Sequence, residues 1–474
     1  MNLDFKSLTI HEVHELLRQK KAGVVDLVNQ SLSQIKFLDD KVHAILNVNK
    51  EAIKIAELAD RKFSKNLDIL KKKPLFGIPI IAKDLFSTKD LTTTAGSKII
   101  GNYIPPYSAT VIKKLEDAGA IIVAKANQDA WGHGSSGENS DHISTCNPYN
   151  LDYVPGGSSS GSAAAVAAGM SLASTGTDTG SSVRLPASFC NLVGLKPTYG
   201  RVSRYGVIAM ASSLDTMGHM TKTVLENARI LDITAGQDTC DATSSPTKVT
   251  DYEQAALKPL HKFTVGIPKE YLQHKMDKDV EDSFSMALAR FKKMGIKIKE
   301  INLPHTNLAM ACYYIIVPAE ISSNLARFDG VRFGEGRSTF GEEAKRRIMI
   351  GTFSLSSGYS DAYYKQALKV RTLIKQDFDQ ALEEVDLIFA PTSPTPPFKI
   401  GEKFDPLQMY LSDVFTCPIN LSGHPGLNIP IGFNKKGLPI GAQIIGPHFG
   451  EDKIYNLAYH FEQETLVYKQ TAKI

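Results

Sequence analysis

The stretch Gly77-Ile78-Pro79-Ile80-Ile81-Ala82-Lys83, followed by a helix-patterned ATVIKKLEDA (109–118) and then by AIIVAK (120–125), decides the fold class. Two short apolar runs on either side of a helical segment predict a β/α layer with a buried sheet. Toward the N-terminus, Thr9-Ile10-His11-Glu12 is a capping box that opens a helix. A second amphipathic helix is expected near 25–39, and a third polar–apolar stretch covers about 50–65. Toward the C-terminus the alternation resumes: LAST (172–175) as a strand, a helix near 223–235, FTVGIP (263–268) as a strand, a helix at 278–294 and IKIKEI (296–301) as a strand. A long helix (361–385) precedes the apolar run DLIFAPT (386–392). NIPIGF and PIGAQII flank Asn434-Lys435-Lys436-Gly437 as a hairpin, and a last helix is expected near 450–464. No internal repeat or long polar linker divides the chain. The expectation is one large α/β domain over 1–474: a mixed central sheet with helices on both faces, and N-terminal helices (1–70) packed on the catalytic core.

Composition narrows the class. Of 474 residues, 42% are hydrophobic and 22% charged, which excludes a disordered chain, and 35 Gly with 23 Pro exclude collagen-like sequence. A net charge of +4 is too small a surplus to argue for nucleic acid or an anionic membrane as a direct partner. No run of about 18 apolar residues predicts a membrane span, and the opening MNLDFKSLTIHEVHELL lacks a signal-peptide core, so a soluble, cytoplasmic protein is expected. The five cysteines include no CxxC pair and the 12 histidines no HExxH, so neither a disulfide framework nor a metal site is expected. No GxxxxGK[ST] loop occurs.

The chemistry concentrates in Pro155-Gly156-Gly157-Ser158-Ser159-Ser160-Gly161-Ser162, which runs into AAAVAAGM. Alone, a Gly/Ser run reads equally well as a flexible linker. Leading into an Ala-rich helix, it instead presents backbone N–H groups and hydroxyls together, a setting for developing negative charge. A second small-residue turn, Thr177-Asp178-Thr179-Gly180-Ser181-Ser182-Val183-Arg184-Leu185-Pro186, lies beyond LAST, so the two turns can meet. Lys83 ends an apolar run; if buried, its pKa falls toward roughly 7–8 and it becomes a usable base. Asp84 would oppose that, but on a strand it points to the other face. Two motifs compete. Gly157-Ser158-Ser159-Ser160-Gly161 matches GxSxG with Ser159 central, but only a fragment of strand is expected before it. Ser33-Gln34-Ile35-Lys36 matches SxxK inside an amphipathic helix, without companion motifs.

PGGSSSGSAAAVAAG followed by GTDTGSSVRLPASFCNLVGLKPTYGRVSRYG resembles the amidase signature family. Within it, PLFGIPIIAKDLF, GSSGENS, ASSLDTMG, SNLARFDGVRFG, SSGYSDAYYKQALKVRTLI and FAPTSPTPPFKIGE resemble the glutaminase subunits of three-subunit aminoacyl-tRNA amidotransferases. The resemblance implies a Ser–Ser–Lys triad with Ser182 as nucleophile, Ser158 as bridging serine after a cis peptide bond, and Lys83 as base. It implies an oxyanion hole at Thr179-Gly180-Ser181, and glutamine held by Arg346, Asp413 and Tyr313. It further implies a heterotrimer: a partner subunit that binds tRNA, ATP and Mg and receives the ammonia, and a small third subunit. No cofactor is then expected on this chain. Two other readings stay open: a stand-alone amidase acting on another amide, and an inactive scaffold. The chain departs from the usual pattern at Ser160 and Ser181, where glycine is usual, at Gly137, where threonine is, and over Gln128-Asp129-Ala130-Trp131-Gly132-His133. If position 181 needs a positive φ, its serine costs about 1–2 kcal/mol or shifts the oxyanion turn.

Overall fold

A computed structural model describes residues 3–65, 68–331, 334–403 and 405–474; Arg332 and Phe333 of the SNLARFDGVRFG stretch lie outside the described residues. Among the described residues, eleven strands form one mixed sheet: β1 (Ile45–Val48), β2 (Pro79–Lys83), β3 (Ile121–Ala126), β4 (Ala173–Asp178), β5 (Val193–Lys196), β6 (Thr216–Thr221), β7 (Thr264–Pro268), β8 (Lys297–Ile301), β9 (Leu387–Pro391), β10 (Gly426–Phe433) and β11 (Pro439–Ile445). Their spatial order is β1-β3-β2-β4-β6-β5-β10-β11-β9-β7-β8. Parallel pairs lie toward the two flanks (β2 with β3 and β4, β7 with β8 and β9), antiparallel pairs fill the middle, and β1 adds an antiparallel edge to β3. The α/β expectation of a mixed sheet holds.

Side-chain alternation along β9 shows why helices cover both faces. Leu387 and Phe389 enter one core with Leu27, Leu231, Phe284 and Phe461 of four helices. Ile388 and Ala390 enter the other with Ile316, Phe378 and Ile419. A period of two across a sheet buried on both faces gives this division. The N-terminal helices Ile10–Arg18 and Val24–Val42 bury Val13, Leu17, Leu27 and Val28 in the first core. Thr9 caps the first of them: the Glu12 N–H donates to Thr9 Oγ1 (3.2 Å), and the Thr9 N–H donates to Glu12 Oε2 (2.8 Å).

Most elements fall within a few residues of their expected positions, including the hairpin of β10 and β11. The sequence reading passed over β1, β5 and β6, and the helices Ala309–Leu325 and Glu342–Leu355. β5 and β6 carry Gly194, Lys196, Gly218 and His219 inside the sheet, so neither has the unbroken apolar signature of a buried strand. The turn with helix Pro304–Leu325 is apolar and long enough to cross a membrane by length and composition, and half of it is buried within the protein.

Candidate active site

The carboxyl ends of the parallel strands β2 and β4 converge with the N-terminus of the helix Ser160–Ala167, the kind of crevice where open α/β sheets bind ligands. Lys83 closes β2 and is fully buried. Its backbone N–H donates to Thr175 Oγ1 on β4 (3.0 Å), and its amine bonds Ser158 Oγ (2.8 Å), Ser159 Oγ (2.9 Å) and Thr177 Oγ1 (2.8 Å). Thr175 and Thr177 share a face because they are two residues apart on a strand. Burial pulls the Lys83 amine down to about 7, against the opposing charges of Asp129, Asp178 and Asp215. Asp84 points away, to Lys125 on β3 at 3.7 Å, as strand alternation requires.

The Gly157–Ser158 peptide is cis, and so is Gly134–Ser135, which the sequence did not suggest. Ser182 sits on the turn after β4, 7% exposed, and its carbonyl accepts the N–H of Ser159 (3.2 Å), which joins the two Gly/Ser turns. Ser159 thus serves as a partner of Lys83 and of the Ser182 backbone. No strand precedes it, so the GxSxG elbow is absent. Ser33 and Lys36 of the SxxK match are exposed.

A buried network fixes the second turn. Asp178 accepts the N–H groups of Val183 and Arg184 (3.2 Å each), the Arg184 guanidinium (3.0 and 3.1 Å) and Asn420 Nδ2 (2.9 Å). Burial would raise this carboxyl, but Arg184 and Asn420 hold it below its ordinary value. Arg184 also reaches Gln443 Oε1 (2.8 Å), Asn420 Oδ1 (2.6 Å) and the carbonyls of Gly180 and Thr416. The Thr179 hydroxyl donates to Asp215 (2.7 Å), whose carboxyl burial raises to about 6. Among the described residues, the N–H groups of Gly180 and Ser181 have no hydrogen-bond acceptor. Two N–H groups held this way beside a serine hydroxyl are suited to a developing oxyanion.

Tyr313, on the helix Ala309–Leu325, lies directly over this turn: a Cβ on Gly180 would stand 2.6 Å from its hydroxyl, so only glycine fits. Asp413 is buried, and Ser181 Oγ donates to its Oδ1 at 2.6 Å. Burial raises Asp413 to about 6, while Ser181 and Arg347 lower it. Ser181 does not take a positive φ, so the conformational cost considered for it does not arise.

The two arginines divide. Arg347 is buried, donates to Glu343 Oε1 (2.7 Å) and Gly134 O (3.1 Å), and lies over the rings of Tyr314 and Tyr410 at 5.6 and 5.7 Å. Arg346 has a side chain 41% exposed and pairs with Glu343. Successive helix residues point about 100° apart, so the two cannot both face inward. The structure therefore brings Lys83, Ser158, Ser182, Thr179, Gly180, Ser181, Tyr313 and Asp413 together, with Arg347 innermost and Arg346 at the rim near Tyr410. Thr177, Asp178, Arg184 and Arg347 carry no such signal in the sequence taken one residue at a time, and Ser159, the GxSxG candidate, proves a partner of Lys83. The alternating threonines 175 and 177, and the Asp178–Arg184 spacing across a tight turn, were the signals available.

One group of potential metal ligands occurs among the described residues: Asp379, His424 and His448, with ligand atoms within 4.8 Å of one another. The Nε2 atoms of His424 and His448 both face Asp379 Oδ1, at 3.4 and 3.9 Å, the imidazoles stack at 3.9 Å and 27°, and Lys375 pairs with Asp379.

The amidase family profile matches residues 26–455. In Geobacter metallireducens, the A subunit of glutamyl-tRNA(Gln) amidotransferase is 49% identical over the full length of both chains. The protein of that name from Oceanobacillus iheyensis is 49% identical over 98% of each. The crystal structure of the Thermotoga maritima protein, likewise the A subunit of a glutamyl-tRNA(Gln) amidotransferase, superposes with a TM-score of 0.85 at 42% identity, covering 98% of this chain and 96% of that one. The chain belongs to the amidase family.

Proposed function

We propose that this chain is the glutaminase subunit of an aminoacyl-tRNA amidotransferase. The observation that carries the reading is a fully buried lysine, brought to about 7, bonded to Ser158 beside a turn that presents Ser182 and two N–H groups without acceptors. Neutral Lys83 takes the Ser158 proton, Ser158 takes that of Ser182, and Ser182 Oγ forms a bond to the side-chain amide carbon of glutamine. The N–H groups of the 179–181 turn receive the oxyanion. Collapse breaks the C–N bond, and ammonia leaves with a proton returned through the relay. Water attacks the acyl-enzyme by the same relay and releases glutamate. Asp413 pairs with the α-ammonium, Tyr313 bounds the pocket, and Arg346 at the rim receives the α-carboxylate while Arg347 fixes the helix that presents it.

The full-length likeness to subunits of a glutamyl-tRNA(Gln) amidotransferase supports the rest of the assignment. The ammonia passes to a partner that amidates Glu-tRNA(Gln), and Asp-tRNA(Asn) if the partner admits it. In the heterotrimer, that partner carries ATP, Mg and the tRNA contacts, and a small third subunit completes the assembly in the cytoplasm. The chain works as one domain. The test is glutamine hydrolysis by the chain alone, then with partner subunits and aminoacyl-tRNA. Asp413→Asn should raise KM for glutamine far more than for an amide lacking the α-amino group, since stranding a desolvated charge costs about 2–5 kcal/mol. Equal loss for both substrates overturns the ammonium assignment, and no glutamine hydrolysis under any of these conditions overturns the reading.

A further inference from the structure

We propose that Ser181 is a positioning and specificity-determining residue: its hydroxyl ties Asp413 to the turn that carries the nucleophile, so that recognition of the substrate's α-ammonium and the shape of the oxyanion turn are set together. The inference deepens the glutamine reading and rests on it. Three observations carry it. The bond from Ser181 Oγ to Asp413 Oδ1 is 2.6 Å long and joins residues 232 apart in sequence. Both partners are buried, Ser181 at 1% and Asp413 at 5% exposure, so water does not compete for either. Ser181 is also the immediate neighbour of Ser182, and its N–H has no acceptor among the described residues.

A glycine at 181 leaves Asp413 without this donor. A carboxylate has about four lone-pair sites, so one hydroxyl on Oδ1 leaves room for an ammonium while fixing the plane of the group. The bond also favours the charged carboxylate, the form an ammonium requires. The other groups around Asp413 are Arg347 on the helix Glu342–Leu355, Tyr313 and Tyr314 on Ala309–Leu325, Asp178 at the end of β4 and Ser135 from a loop, with Lys403 and Cys417 on its own flanks. Arg347 also lowers the carboxyl, but it is shared with Glu343. Removing the Ser181 hydroxyl should therefore raise the Asp413 carboxyl further, and ammonium binding should fail at a higher pH than in the parent.

The experiment measures glutamine binding to Ser182→Ala, which cannot turn the ligand over, and to Ser181→Ala/Ser182→Ala and Ser181→Gly/Ser182→Ala, in the complex if the chain alone does not bind. The second ligand is 4-carbamoylbutanoate, glutamine without its amino group. Both Ser181 variants should weaken glutamine about tenfold, the scale of a hydrogen bond to a charged group, and 4-carbamoylbutanoate much less. The pH below which glutamine binding is lost should move upward. Unchanged glutamine affinity and pH dependence, or equal weakening of both ligands with a lowered melting temperature, overturns the inference. No glutamine binding to the Ser182→Ala parent overturns the glutamine reading and the inference with it; binding to the parent with indifference at 181 overturns the inference alone.

Discussion

Two neighbouring parallel strands, β2 and β3, each carry a fully buried lysine near their carboxyl end, and only one is placed to act as a base. Ala82 is the register partner of Lys125, so Lys125 leaves the sheet on the face opposite to Lys83. Burial lowers both amines, Lys83 to about 7 and Lys125 to about 8. Their partners differ. Lys125 donates to the carbonyl of Phe86 and to Thr88 and Thr93, with Asp84 at 3.7 Å. A carbonyl cannot give up a proton, and a carboxylate favours the charged amine. Lys83 bonds three hydroxyls and has no carboxylate within ion-pairing distance among the described residues. Burial lowers both pKa values; what sets Lys83 apart is a serine partner beside the Ser182 turn and no carboxylate at hand.

Removing each amine should separate the roles. Lys83→Ala should cost several orders of magnitude in kcat, because general-base steps contribute ~10²–10⁴ and a relay fails as a unit. Ser182→Ala should match it, the double variant should be no worse, and an electrophilic glutamine analogue should label Ser182; a label on Ser159 would break the assignment. Lys125→Met should instead strand Asp84 and cost about 3–5 kcal/mol in denaturant unfolding, with kcat kept in the folded fraction. A catalytic loss at Lys125 without a stability loss would erase the contrast.

Titration sharpens it further. The base must be neutral, so kcat/KM should fall as pH drops through about 7, the value burial gives Lys83, and hold on the alkaline side. A profile flat to pH 5 would exclude a lysine base. The smallest effect is expected at Ser160. A Cβ on Gly137, where φ is +93°, would stand 2.7 Å from Ser160 Cβ, so the side chain at 160 requires glycine at 137. Ser160 bonds Thr145 at 3.1 Å, and Ser160→Gly should cost about 1 kcal/mol of stability with little change in KM.

The sheet flanks were legible because runs such as GIPIIAK and AIIVAK carry their burial in their composition. The middle was not: Gly194, Gly218 and His219 interrupt β5 and β6, which gain stability from pairing on both sides. At the site, Lys83 and the two small-residue turns could be read from residue type, and the roles of Ser158, Ser182 and Asp413 from resemblance. The inward arginine could not, because adjacent arginines on a helix look alike until the neighbouring Tyr314 and Tyr410 are in place. Nor could the close approach of Gly137 and Ser160, 23 residues apart, which appears only as a contact in space.

The buttress of Arg184 by Asn420 and Gln443 gives the protein a timetable. On the ribosome, Lys83, Ser158 and Ser182 are all made long before Asn420 and Gln443, the groups that brace their turn. A nascent chain therefore carries every side chain of the proposed relay with its second turn unbraced. A product truncated before Asn420 should be inert however much of its N-terminal sheet has formed.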